Sequence, residues 1–172
     1  MKNLFFEFLQ TPDREKFLAV REAVASSETY CPYSNELTQA DQCIDQGKFE
    51  EARLLVGDAM ANLLLSPAAH LTLAIIAKKL GDAKGAEMEG FIAATCVQGI
   101  LATGDGSRDS PYFVLRTSDE YDVIGYLGKK PKSQALTGDG DRHFDLIHCE
   151  DGSELWFDIT VPFNKLNALM GD

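Results

Sequence analysis

The stretch LTQADQCIDQGKFEEARLL (residues 37–55) decides how the first half of the chain is read, because LTLAIIAKKLGDAKGAEME (residues 71–89) repeats its pattern 34 residues later. Leu37 answers to Leu71, Ala40 to Ala74, Gly47 to Gly81 and Ala52 to Ala86. These small residues have a packing reason. Alanine at an inter-helix contact lets two antiparallel helices approach, and glycine ends one helix in the left-handed conformation that a tight turn needs. DQGKFEEA and KLGDAKGA are therefore predicted turns between paired helices.

A period of 34 is that of tetratricopeptide repeats, so residues 1–102 read as tetratricopeptide-like helical hairpins, with a non-repeating helical bundle as the alternative. Ser66 followed by Pro67 marks the start of the helix AAHLTLAIIAKKL, as cap and first helical residue. Upstream, QTPDREKFLAVREAVASS predicts a helix capped by Thr11 with Pro12 at its first position and Phe17, Leu18, Val20, Ala23 and Val24 on a helical period. Pro32 and the Ser34-Asn35 pair interrupt before the repeat begins. Hairpins of this kind need covered ends. The helix after Pro12 can cover one side, and the last helix, about 83–101, carries Phe91, Ile92, Val97 and Ile100 toward whatever follows.

Beyond residue 102 the pattern changes to turns and alternating apolar residues, which places a boundary there: 1–102 helical, 103–172 a small α+β unit. PYFVLR is a short strand candidate. TSDEYDVIGYLG predicts a helix with Thr117 and Glu120 as a capping box, Tyr121, Ile124 and Leu127 on one face, and Gly128 as the stop. SQALT, HFDLIHC and ELWFDIT are three strand-like runs joined by GDGD and EDGS, giving an antiparallel meander backed by that helix. The fold class expected is α+β: helical hairpins followed by a small antiparallel sheet with a packed helix.

TGDG occurs at 103–106 and again at 137–140. As a calcium loop starting at Asp105 it would put Ser110 at the glycine position and Arg116 at the glutamate position; starting at Asp139 it would put His143 and Phe144 at the fifth and sixth positions. Neither works, so the first is read as a helix stop and the second as a hairpin turn.

GILATGDGSRDSPYFVLRTSDEYDVIGYLGKKPKSQAL, followed by HFDLI and LWFDITVPFNKL, resembles the C-terminal pattern of an uncharacterised bacterial domain-of-unknown-function family. The resemblance covers about residues 98–167, with Trp156 where the pattern usually has Tyr. It implies a helical N-terminal half joined to a compact α+β end, and no activity.

The chain has 172 residues, 45% of them hydrophobic, and a net charge of −11 that is spread along its whole length. With no basic run, nucleic acid and anionic membranes are excluded as expected partners; another protein, preferably basic, fits better. Cys31, Cys43, Cys96 and Cys149 are too scattered for a zinc or redox motif and read as free thiols. Glu7 breaks the apolar N-terminal patch, so no signal peptide is expected, and a reducing, cytoplasmic setting follows.

If EDGS turns on the two residues Asp151 and Gly152, Glu150 opposes Ser153, and Asp145 lies directly across from Asp158. His143, Asp145 and Asp158 are then the catalytic candidates, and the two aspartates are the metal candidates as well: such a pair can hold a divalent ion or share a proton. The plain alternative is a solvated face relieved by Lys129, Lys130 or Arg142. Trp156 on that face is a candidate partner anchor, His148 points into the core, and His70 stands alone on a helix. No nucleophile elbow or phosphate loop is present, and no cofactor is expected. Three functions are consistent with these residues: a non-enzymatic protein-binding module, a small metal-dependent hydrolase centred on Asp145 and Asp158, and an acidic inhibitor or immunity-type protein.

Overall fold

In the computed structural model, which describes residues 1–171, seven helices fill the first hundred residues: α1 (Lys2–Gln10), α2 (Arg14–Ala25), α3 (Glu36–Asp45), α4 (Phe49–Asp58), α5 (Met60–Leu63), α6 (Pro67–Lys79) and α7 (Ala83–Leu101). The α2 cap is Asp13, whose carboxylate accepts from the Lys16 N–H at 2.8 Å, rather than Thr11, which instead ends α1. Asp13 wins because ionised oxygens answer a helix N-terminus better than a hydroxyl does. Ser66 and Pro67 start α6 as expected, the Ser66 hydroxyl accepting from Ala69 N–H.

The two glycine turns are built alike. Gly47 and Gly81 both take positive φ (74° and 82°). In each turn the residue after glycine donates to the carbonyl five residues back, Lys48 to Cys43 and Asp82 to Ala77, both at 2.8 Å. This double closure is the Schellman stop. The hairpins α3/α4 and α6/α7 differ in cover. Ala40 and Ala52 are fully buried in a cluster with Val56, Leu63, Ala69 and Ile76, whereas their counterparts Ala74 and Ala86 are only half-buried, because no further hairpin stacks beyond α7.

After α7 come β1 (Tyr112–Phe113), α8 (Thr117–Tyr126), β2 (Pro131–Asp139), β3 (Arg142–Cys149), β4 (Glu154–Asp158) and α9 (Thr160–Met170). The architecture is α+β, with a four-stranded sheet in the order β1-β4-β3-β2. β2, β3 and β4 form the expected meander, but β1 joins β4 in parallel, so the sheet is mixed. The chain ends in the helix α9, where the sequence pattern predicts no element.

The two TGDG sequences adopt different structures. At 137–140 the second closes the β2–β3 hairpin, with Gly140 at φ 63° as the first of two loop residues. At 103–106 the first leaves the α7 terminus and packs its backbone closely: a Cβ on Gly104 would collide with the carbonyl oxygens of Ser110 and Pro111. Gly106 O accepts from Trp156 N–H at 2.9 Å, which fastens this loop to β4.

One large apolar core runs across the boundary at residue 103, joining Phe5, Phe8, Phe17 and Val20 to Ile100, Val123, Ile124, Ile147 and Phe157. Gly99 sits where α7 meets this core, and a Cβ there would strike the rings of Phe17 and Phe8. Gly99→Ala is expected to lower stability by about 1–3 kcal/mol through overpacking, despite alanine's better helix propensity. A urea midpoint equal to or above that of the parent would contradict it.

The β3–β4 hairpin departs from the expected register. Gly152 takes φ 84°, Gly152 N–H donates to Cys149 O, and Cys149 N–H donates to Ser153 O. The loop therefore holds three residues, 150–152, the form in which a turn is followed by a left-handed glycine. That single extra residue shifts every pair by one: Asp145 faces Phe157, and Phe144 faces Asp158. In an antiparallel pair such a slip exchanges the faces of one strand relative to the other. Ile147 and Cys149 thus join the large core, with Asp145 on the same face of β3, and His148 does not point into it as expected. His148 lies on the outer side, 3.2 Å from Glu154.

Candidate functional site

The residues singled out from sequence do not converge. Asp145 and Asp158 are 4% and 8% exposed, but they project from opposite faces of the sheet. Asp158 accepts from the Arg142 guanidinium at 2.9 Å and from Thr160 N–H at 3.0 Å, so it anchors the start of α9. Arg142 does provide the relief expected of it. His143 stacks on Phe163 with 3.8 Å between ring centroids. Trp156 is half-buried, edge-on to Phe144, with Arg108 5.7 Å from its ring centroid. Among the described residues, no group of three or more His, Cys, Asp or Glu side chains has the geometry to hold a metal ion.

A different carboxyl pair is buried instead. Asp145 meets Glu120 of α8, and Gln134 of β2 donates to Asp145 at 2.6 Å. Neither Glu120 oxygen receives a hydrogen bond from a donor. Burial, and then the Asp145 charge, push Glu120 up to about 10. Glu120, enclosed beside a second carboxyl, therefore keeps its proton, because the two cannot both ionise there. With Glu120 wholly enclosed, this pair cannot reach a substrate. The exposed neighbour Tyr33 is raised by its own partial burial and then by these two acids.

The same helix explains why sequence reasoning missed the pair. The α8 cap is Arg116, not Thr117, and the reciprocal bond comes from Asp119, which accepts from Leu115 and Arg116 N–H at 3.2 and 3.0 Å. Glu120 is thereby freed to point inward with Val123 and Ile124, while Tyr121 and Leu127 are exposed. The one available signal was the crowding of Asp119, Glu120 and Asp122 within a single turn. Arg116 is itself buried and bonds the carbonyls of Cys31, Pro32 and Asn62 and the Asn62 side chain. His70, thought unremarkable, is enclosed between Leu64 O at 3.0 Å and the Glu89 carboxylate at 2.7 Å.

What is accessible is a cavity of about 310 Å³ between α6, α7 and α8. Gly90, Ala93 and Ala94 of α7 leave room for it, and Tyr121 and Tyr126, each about half exposed, flank it. Asp122 is its acidic residue: Oδ2 accepts from Ala68 N–H at 3.1 Å, and burial raises the carboxyl to about 6. Leu71, 48% exposed, lines the cavity's α6 side, while Met88 and Phe91, 59% and 56% exposed, line a separate depression on α7 with Lys84 and Glu87. An apolar cleft with a few placed polar groups has the usual make-up of a ligand or active site. No family model matches this chain, and no curated protein or solved structure is significantly similar to it.

Proposed function

We propose that the protein is a non-enzymatic, tetratricopeptide-like binding module whose acidic helical half engages another protein through the α6/α7/α8 cleft. The observation that carries this reading is the apolar side chains left exposed on the second hairpin: Leu71 and Ile75 of α6 and Met88 and Phe91 of α7 are all about half exposed or more, on a chain carrying 27 acidic and 16 basic residues. Large apolar side chains left exposed on two neighbouring helices and set among charges mark interaction surfaces. The acidic excess favours a basic partner over nucleic acid. In repeat proteins a hairpin lacking its neighbour offers such a face, and the apolar segment of a partner can take the neighbour's place.

Panning a random peptide library against the intact protein tests the reading. Enriched peptides should share an apolar anchor, and Ala94→Trp, which fills the cleft, should weaken them at least about tenfold, equivalent to 1.4 kcal/mol. Peptides that bind Ala94→Trp as well as the parent, or no enrichment at all, would refute a binding role for this cleft.

A further inference from the structure

We propose that the α6/α7/α8 cavity takes the alkylammonium side chain of a lysine on the partner protein, and that Asp122 is the residue that selects it. The inference rests on the binding-module reading and specifies its partner chemistry. A lysine side chain has two parts, an apolar four-carbon stem and a compact charge at its end. The cavity provides for both. Ala93, Ala94 and Val97 of α7 and Pro67 and Leu71 of α6 offer carbon surface along its length. Asp122 is the cavity's carboxylate. Tyr121 and Tyr126 line the cavity with it, and aromatic rings also attract a cation.

The geometry of Asp122 discriminates among cations. Oδ2 is committed to Ala68 N–H, and no hydrogen bond to Oδ1 is found among the described residues. A guanidinium is held best by two carboxylate oxygens at once. One free oxygen suits the point charge of an ammonium instead. The anchoring bond to the start of α6 also fixes the carboxylate's position, so no side-chain freedom is lost when a ligand arrives. A partner segment, rather than a free amine, is the source, because Leu71 at the cavity's edge and Ile75 one turn along α6 are both about half exposed and give the residues flanking a lysine apolar surface to cover.

The test is an amide-shift NMR titration of the full ¹⁵N-labelled chain with N-acetyl-lysine-methylamide, its norleucine and arginine analogues, and n-butylammonium. The lysine compound should shift the amides of Gly90, Ala94 and Gly125 and bind at least about fivefold tighter than either analogue, the scale of a partly screened ion pair. Asp122→Asn, which keeps an acceptor for Ala68 N–H, should erase that preference; Ala94→Trp should erase all binding while leaving Asp122 in place. Equal binding of lysine and norleucine would overturn the selection by Asp122 yet leave the binding-module reading intact. Binding of n-butylammonium tighter than that of the lysine compound would assign the site to a small amine and refute the protein source. No shift at those amides with any probe, together with failed peptide panning, would remove the underlying reading as well.

Discussion

Replacing Arg116 by Ala is expected to cost about 3–5 kcal/mol of unfolding free energy, the range for removing one partner from a buried ionic and hydrogen-bonded network. The guanidinium is 4% exposed. It donates to Cys31 O, Pro32 O and Asn62 O at 3.0, 3.1 and 3.0 Å, and to the Asn62 carboxamide. Asn62 in turn receives Cys31 N–H and donates to Cys31 O and Ser34. Arg116 therefore ties the 31–34 loop and α5 to the start of α8. Its charge also opposes the burial that raises Asp119 to about 7. Truncation would leave three carbonyls without this donor and the Asp119 carboxyl without its cation. Arg116→Lys should recover only part of the loss, because a single ammonium cannot span carbonyls on two segments. Urea unfolding of both variants checks this; a loss under 1 kcal/mol for Arg116→Ala would show that the network is not what holds the two halves together.

The second large effect concerns pH. Glu120 is raised from 4.5 to about 10, Asp119 to about 7 and Asp122 to about 6, with burial the leading cause in each, and Asp145 is raised by burial as well. For a carboxyl whose folded value lies above its unfolded value, the native state holds the proton that the unfolded state has released. Stability is then greatest below the unfolded value and falls as pH rises toward the folded one. The protein should accordingly lose stability from pH 5.5 to 8.5, and accumulating negative charge pushes in the same direction. Glu120→Gln keeps a neutral side chain of the same size beside Asp145 while removing the titration. Its advantage over the parent should widen by up to about 1.4 kcal/mol per pH unit across that window. Measurements should stay above the sequence pI of about 4.6, where solubility is lowest. A Glu120→Gln protein less stable than the parent at pH 8.5 would mean that Glu120 is not held protonated in the fold.

Local chemistry was legible in the sequence wherever a single residue decides it. Gly47, Gly81 and Gly128 stop helices because only glycine takes positive φ without strain, and Ser66-Pro67 starts one because a hydroxyl and a missing N–H suit that terminus. The 34-residue spacing located two hairpins, and the turn dipeptides located a strand meander. The tertiary structure decided the rest. Asp-Gly at 151–152 was compatible with a two- or a three-residue loop, and the choice fell to whichever register buries Ile147 and Cys149 with Leu155 and Phe157. That choice moved Asp145 inward, away from Asp158 and onto Glu120. Burial of acids cannot be read from hydropathy, which assigns Glu120 to water and Tyr121 to the core; the reverse holds because Glu120 keeps a proton and finds Asp145, and that partner comes from a strand 25 residues away in the chain. The cleft beside Asp122 likewise exists only because α8 packs against α6 and α7, helices that belong to the other half of the sequence.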